Sequence, residues 1–539
     1  MQRVFVADPL DAEGVDRLRL AGLEVDHRPG LAGNELTQAI RHADGLIVRS
    51  QTQVTAELLE ESGQLKAIAR AGVGVDNIDL LAATRKGIVV MNAPGGNTLS
   101  TCEHTLALLF ALARHIPSAV TSLKQGAWKR NQFTGTQLAG KTLGILGLGR
   151  IGREVAKRAL AMQMRVIGYD PMLPPDRVRQ WDIEPAAEIA QVLPACDILT
   201  IHIPLTEKTQ GIIGRKELAL MKPGSWVINC ARGGIIDETA LVEALDQGHL
   251  GGAALDVFEK EPLPHDHPLL KMPNVICTPH LGASTREAQR SVALEAAECM
   301  IQFLQHGRIQ GAVNMNTLDR SELLRMRYEL DLAYRLGLLM ADILDAPLKR
   351  IQLSCTGEAA EHHPQLLTSS LLVGLLSKRL TEPVNLVNAA LLAKERGFLV
   401  ESKQSTAKSD FRTLLRVEAE TEKQKHSFAG TLFGKNYVRL VQWDAFQFDA
   451  YLDGQLLLMN HQDMPGLIGF IGSVLGKHQV NIAQMTVGRQ QAGGEAIAVL
   501  NLDSLPPKEA LSDIQVHPHV HSLRNVSLPA QGELPPWLT

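Results

Sequence analysis

The chain has 539 residues, a net charge of −4, 45% apolar residues and 21% charged ones, ordinary values for a soluble chain of several domains. With no global basic field, nucleic acid is not an expected partner. No run of about 18 or more apolar residues is present, so no membrane span is expected. The six cysteines are scattered with no CxxC pair, which points away from a metal site or disulfide framework and towards a reducing cytoplasm.

The N-terminus reads as a first strand, not a signal peptide. Across residues 1–98, the short apolar runs Val4–Ala7, Leu46–Val48, Ala67–Ala69 and Ile88–Met91 alternate with helical stretches. That rhythm predicts βαβ units and a parallel sheet. A long apolar helix is predicted at Ser100–Arg114, with His115-Ile116-Pro117 marking its end. Six further runs follow within residues 99–282: Thr142–Leu146, Arg165–Tyr169, Asp197–His202, Trp226–Asn229, Ala253–Val257 and Val275–Thr278. They predict a second, doubly wound sheet. A helix over Thr285–Gln305 is expected to carry residues 283–316 back to the first domain, leaving that domain discontinuous. Residues 317–452 read as mixed α+β, with the polar stretch 401–427 as a loop or hairpin. Residues 453–539 read as a small α+β module. The fold class is α/β, with two parallel-sheet domains followed by two α+β units.

The segment Gly147-Leu-Gly149-Arg-Ile-Gly152 has the GxGxxG pattern. It follows a strand-like run and opens a helix whose apolar face is Ile151, Val155 and Ala159. Gly147 suits a tight turn, Gly149 lets the backbone approach a pyrophosphate, and Gly152 permits close helix–strand packing. The free N–H groups at the helix start favour an anion. Asp170 ends the next strand, where an acid hydrogen-bonds the adenosine ribose and repels a 2′-phosphate. NAD is therefore expected over NADP.

Ligands bind beyond the carboxyl ends of strands in open α/β sheets. Three such ends carry polar groups: Asn229–Gly234, Asp256–Pro262 and Thr278–Gly282. Oxidation of a hydroxy acid needs a base for the hydroxyl proton, a cation for the carboxylate and an acid beside the base. His280, Arg232 and Glu261 suit those roles in that order, with Glu259 a rival to Glu261.

At this point GILGLGRIG, NCARGGIIDE, AALDVFEKEP and TPHLGAST resemble the D-isomer-specific 2-hydroxyacid dehydrogenase family over about the first 310 residues. The resemblance implies flavodoxin-like and Rossmann domains and a catalytic trio at Arg232, Glu261 and His280, which favours Glu261 over Glu259. Besides the three glycines, it implies cofactor contacts at Arg150, Ile151, Asp170, Ile203, Cys230, Ala231, Arg232, Asp256, His280, Gly282 and Ala283.

Arg49-Ser50, Arg70–Asn77 and Gly95–Thr98 are similar to the branch of the family that acts on phosphoglycerate. That implies oxidation of 3-phospho-D-glycerate to 3-phosphohydroxypyruvate, the first step of L-serine biosynthesis. The substrate contacts would be Arg49, Ser50, Arg70, Val73, Gly74 and Asn97 with Arg232 and His280. Arg49 and Arg70 would take the phosphate. Lys129 and Arg130, beside Trp128, are weaker candidates across a subunit boundary. Val73 departs from relatives that carry a small hydroxyl residue.

Val384–Ala389 and Ala393–Gly397 resemble the intervening domain of the long forms of these enzymes. Asn460–Ile468, Gly476 and Val480–Ala483 resemble a βαββαβ ACT module. Such modules pair through strands and bind amino acids, implying a homo-oligomer (dimer or tetramer) with L-serine as effector at His461, Asp463 and Asn481. The competing reading has Asp463 merely capping a helix behind it, with Pro465 in the first turn. Two other functions stay open: a dehydrogenase of another D-2-hydroxy acid such as 2-hydroxyglutarate, and a dinucleotide-sensing scaffold.

Overall fold

The computed structural model describes residues 1–535 apart from 316–319, 362, 406–409 and 435. The described chain forms four sheets. The first contains β1 (Arg3–Val6), β2 (Glu24–His27), β3 (Gly45–Val48), β4 (Ala67–Arg70) and β5 (Val89–Asn92), all parallel, in the order β2-β1-β3-β4-β5. Its inner strands are buried on both faces, as parallel strands flanked by helices must be. The helix Arg286–His306 lays Val292, Ala296 and Met300 into this core, and Ala312 bridges Met91. The chain therefore returns to its first sheet after leaving it. The edge strand β2 has no continuous apolar run, so periodicity could not reveal it.

The second sheet contains β6 (Thr142–Leu146), β7 (Arg165–Tyr169), β8 (Glu184–Pro185), β9 (Ile198–Ile201), β10 (Ser225–Asn229), β11 (Leu250–Leu255) and β12 (Val275–Cys277). Its order is β12-β11-β10-β9-β6-β7-β8. The order reverses between β6 and β9, so the glycine-rich loop after β6 stands at the topological switch point, where such sheets take ligands. The helix Thr98–Ala113 inserts Cys102, Leu106 and Leu109 into this domain's core. That helix ends at Ala113, just before His115-Ile116-Pro117, as expected. His115 takes a left-handed φ of 50°, and a second helix, Ile116–Lys124, starts at once with Pro117 in its first turn.

The third sheet contains β13 (Leu348–Gly357), β14 (Leu399–Ser405), β15 (Thr413–Thr421), β16 (Lys425–Phe433), β17 (Tyr437–Trp443) and β18 (Phe446–Tyr451), in the order β14-β13-β15-β16-β17-β18. Only the β13–β14 pair is parallel. The polar stretch 401–427 is thus a hairpin and more: it supplies parts of β14, β15 and β16. Its charges alternate with buried residues, because one face of this sheet packs on the helices Arg320–Ile343 and Pro364–Ser377 and the other does not.

The fourth sheet contains β19 (Gln455–Gln462), β20 (Ile482–Arg489), β21 (Glu495–Leu502) and β22 (Val520–Ser527), in the order β20-β21-β19-β22. With the helices Leu467–Lys477 and Lys508–Gln515 it makes a βαββαβ module. Among the described residues, no single helix is long and apolar enough to cross a membrane.

Candidate active site

The site lies between the first two domains, where loops after β10, β11 and β12 face the loop after β4. His280 sits just beyond β12 at a left-handed φ of 53°. That conformation costs energy for a residue with a Cβ. It is held by the His280 N–H, which donates to the carbonyls of Asp256 and Thr278, both at 3.0 Å. The His280 Nδ1 lies 2.8 Å from Glu261 Oε2, and the other Glu261 oxygen accepts the Phe258 N–H at 3.1 Å. Glu259 points elsewhere and exchanges hydrogen bonds with Glu238 at the start of the helix Glu238–Asp246. Geometry thus separates the two acids: Glu261 meets the histidine and Glu259 does not.

The bond to Glu261 holds His280 above the ordinary histidine pKa, against the burial that disfavours its charge. Burial opposes ionisation of Glu261 too, but the hydrogen bond and charge of His280 outweigh it and hold the carboxyl below its ordinary value.

Arg232 leaves the loop after β10. Its Nε donates to Asp76 Oδ2 at 3.0 Å and its Nη1 to the Ala231 carbonyl at 2.6 Å. Asp76 belongs to the first domain, so this ion pair crosses the cleft. The guanidinium lies close over the Gly74 backbone: a Cβ there would stand 1.7 Å from Arg232 Nη2. Arg70 lies in the same way over Gly72, where a Cβ would meet its Nη1 at 2.1 Å. The Arg70 Nε is buried without a hydrogen-bond partner. Burial, then the charge of Arg232, pushes the Arg70 pKa down to about 10, and Arg49 adds to the effect. The Arg49 backbone is anchored by Asp8 and Asn77, at 2.5 Å and 2.9 Å. Asn97, at the start of the helix Thr98–Ala113, has a buried Oδ1 with no partner. Val73 contributes a carbonyl that accepts from Asn92 at 2.6 Å, while Ser50 is exposed. Lys129 and Arg130 are exposed beside Trp128, itself 84% exposed.

The three motif glycines differ in what surrounds them. Gly147 has φ 91°, and a Cβ there would lie 2.5 Å from the His202 carbonyl. A Cβ on Gly152 would lie 2.0 Å from the Gly147 carbonyl, so the helix can approach the loop only without one. A Cβ on Gly149 would meet nothing within 4 Å: this glycine faces open space at the start of the helix Arg150–Ala161. That space, with the free helix N–H groups, fits a pyrophosphate. Asp170 accepts from the N–H groups of Leu148 and Met172, both at 2.9 Å, and so braces the loop. Ile203 packs against Gly147. Cys230 is buried, which pushes its thiol up to about 12 and keeps it protonated. Gly282 and Ala283 continue the loop that carries His280.

The candidate effector residues do not meet within one chain. Asp463 receives Arg489 Nη1 at 2.6 Å and the Gly493 N–H at 3.1 Å. It caps no helix, because the helix Leu467–Lys477 starts after Gly466 at φ 91°, leaving Pro465 in the turn before it. Asn481 donates to Asp503 at 2.7 Å. It precedes Ile482, which is level with Leu502, whereas Gln462 is level with Glu495. Asp463 and Asn481 therefore stand at opposite ends of the sheet. His461 is buried, with its Nε2 unpartnered.

Residues 106–282 match the NAD binding domain of the D-isomer specific 2-hydroxyacid dehydrogenases. Residues 325–444 match the D-3-phosphoglycerate dehydrogenase intervening domain and residues 456–519 the ACT domain. The chain is 42% identical over 529 residues to a D-3-phosphoglycerate dehydrogenase of Methanocaldococcus jannaschii, which covers 98% of this chain and 100% of that one. It is 40% identical over 531 residues to the Bacillus subtilis protein of the same name, again covering 98% and 100%. This chain belongs to the D-isomer-specific 2-hydroxyacid dehydrogenase family. A solved Thermus thermophilus structure, 40% identical, covers 58% of the chain and 100% of its own with a TM-score of 0.52. As a member of this family the chain is an NAD-dependent oxidoreductase, in the long form that adds the intervening and ACT domains.

Two residues of the site escaped sequence reasoning. Asp76 lies within the Arg70–Asn77 motif, but nothing local says that it reaches Arg232, so distant in the chain. His104 is one polar position on the apolar helix Thr98–Ala113, and nothing local in the sequence gives it a partner.

Proposed function

We propose that this enzyme oxidises 3-phospho-D-glycerate to 3-phosphohydroxypyruvate, as the first step of L-serine biosynthesis. The observation that carries the reading is the cluster of Arg49, Arg70 and Arg232 opposite the His280–Glu261 pair, with Arg70 unpaired and its charge disfavoured by its surroundings. A site that confines positive charge in this way suits a small, highly charged anion. The relatives' shared name agrees with it.

NAD, held by the Gly147–Gly152 loop and Asp170, supplies the hydride acceptor. Arg232 holds the substrate carboxylate, together with the Gly72–Gly74 backbone. Arg70 and Arg49 take the phosphate. Because Glu261 occupies the Nδ1 side of His280, the hydrogen sits on Nδ1 and the lone pair on Nε2 faces the substrate. His280 Nε2 accepts the C2 hydroxyl proton, and Glu261 stabilises the imidazolium that results.

NADH absorbance with a panel of D-2-hydroxy acids tests the substrate. Arg70→Ala should lower kcat/KM for 3-phosphoglycerate by roughly 10- to 100-fold, and far less for D-glycerate. Equal losses on both would remove Arg70 from the phosphate site. Higher turnover of 2-hydroxyglutarate would replace the substrate.

The same reading assigns L-serine as an effector. Since Asp463 and Asn481 lie at opposite ends of one sheet, a ligand touching both must bridge two copies of the chain, which makes the serine-bound form a homo-oligomer. Added L-serine should slow turnover, and Asp463→Ala should abolish that response. No binding in calorimetry at millimolar L-serine would leave the module a structural one.

A further inference from the structure

We propose that His104 is a positioning residue of the dehydrogenase reaction, tying the loop that carries His280 to the helix that leaves the interdomain connection. The proposal rests on His280 being the base.

Asp256 is 1% exposed and stands behind that loop. Its Oδ1 accepts the Leu281 N–H at 2.8 Å and the Thr278 hydroxyl at 2.5 Å, and its Oδ2 accepts the Gly282 N–H at 2.8 Å. Its backbone carbonyl accepts the His280 N–H. The residues on both sides of His280 are thus hung from one buried carboxylate. Every one of these neighbours is a donor, so the carboxylate is the ionised, acceptor-only form. A buried charge of this kind is tolerated only with hydrogen bonds around it.

His104 comes from another element. It lies on the helix Thr98–Ala113, and its Nε2 is 3.1 Å from both Asp256 Oδ1 and Thr278 Oγ1. The Thr278 proton is committed to Asp256, so towards His104 the hydroxyl can only accept. The hydrogen must therefore sit on Nε2, shared between a carboxylate and a hydroxyl. Two neighbours grip the rest of the loop: Thr101 donates to the Gly282 carbonyl at 3.2 Å, and Ser100 pairs with Thr285 at 2.7 Å. Residues 100, 101 and 104 share one helix face. Of these three, His104 is the one that bonds the charged carboxylate. The contact closes a triangle of His104, Thr278 and Asp256 beneath the catalytic residue. It touches neither substrate nor reacting atoms, so its effect passes through the placement of His280.

The test uses the full-length enzyme and the hydroxy acid it turns over best. His104→Phe fills the space but cannot donate; His104→Gln keeps a donor. His104→Phe should lower kcat by about tenfold or more, with NADH affinity from fluorescence titration unchanged to within about twofold. His104→Gln should recover most of the loss. Thr278→Val should lower kcat in the same way, and the double variant should lose less than the two single losses combined. An unchanged kcat in His104→Phe overturns the proposal. So do equal losses in the Phe and Gln variants, or a fall in NADH affinity that accounts for the whole loss. If His104→Phe does not fold, Thr278→Val decides, and normal turnover there overturns the proposal. His280→Ala, run alongside, separates the two levels. Retained turnover in it removes His280 as base. Loss of turnover in it beside an unaffected His104→Phe removes only His104.

Discussion

The hydrogen bond between His280 and Glu261 sets a pH dependence with a definite sign. With His280 as the proposed base, oxidation needs it neutral, and the pair holds its pKa above the ordinary value. The rate of hydroxy-acid oxidation should therefore rise with pH through that raised pKa, and keto-acid reduction should fall over the same range. Glu261→Gln removes the negative partner. The rising limb of log kcat/KM should then move to lower pH, and the plateau should fall by roughly tenfold or more. A profile that keeps its midpoint would separate Glu261 from the titration. Sequence spacing could not choose between Glu259 and Glu261, and only the family resemblance leaned towards the second. The fold separates them physically: one acid is spent on the Glu238 backbone and the other on the histidine.

Among the elements, the turn from β6 into the helix Arg150–Ala161 is the one whose parts can be tested apart. A Cβ on Gly152 would stand 2.0 Å from the Gly147 carbonyl. Gly152→Ala should therefore push the helix off the strand and cost stability, on the order of 1–3 kcal/mol for an overpacked site. Gly149 has φ −65° and ψ −157°, outside the left-handed region, and nothing within 4 Å of its would-be Cβ. Gly149→Ala should unfold at the wild-type denaturant concentration yet bind NADH more weakly. Denaturation midpoints and fluorescence titration, measured on both variants, check the contrast. Equal NADH affinity in Gly149→Ala would mean that no ligand approaches the backbone there. The glycine pattern was readable because each glycine answers a local backbone demand. The edge strands β2 and β8 were not, since a half-exposed edge carries no apolar run.

At the scale of the molecule, one polar joint ties the intervening domain to the first domain and another ties it to the ACT module. The Asn385–Asn388 turn docks on the first domain. There Asn385 donates to the Gly87 carbonyl at 2.9 Å and Asn388 to that of Arg85 at 3.4 Å. Farther along, Arg335 is fully buried on the helix Arg320–Ile343. Its guanidinium pairs with Asp331 at 2.9 Å and donates to the carbonyls of Leu452, Pro529, Ala530 and Glu533. It pins the connection into the ACT module and the segment that follows β22. Burial raises the Asp331 carboxyl to about 6 even with the arginine beside it. Arg335→Met would leave that acid without its partner and take a donor from the Leu452 and Glu533 carbonyls, while Pro529 and Ala530 keep the N–H groups of Gly454 and Glu533; it should destabilise the C-terminal half by about 3–5 kcal/mol. Urea unfolding checks this, and a midpoint equal to wild type would mean that the joint carries no load.

Local chemistry determined much of this protein from the sequence by itself. Strands buried on both faces read as apolar runs, glycines marked the dinucleotide turn, and strand ends offered an arginine, an acid and a histidine to one rim. Each of those signals lies within a few residues. What only the tertiary structure decided depends on groups far apart in the chain: the Asp76–Arg232 pair across the cleft, the buried Arg70 Nε without a partner, and His104 beneath the loop that carries His280. The separation of Asp463 from Asn481 belongs with them, because strand order, not sequence distance, puts them at opposite ends of a sheet. The polar stretch 401–427 holds the expected hairpin of β15 and β16, but its membership of a six-stranded sheet was not legible for the same reason. Whether a charged segment is a loop or one face of a sheet is settled by what packs against its other side.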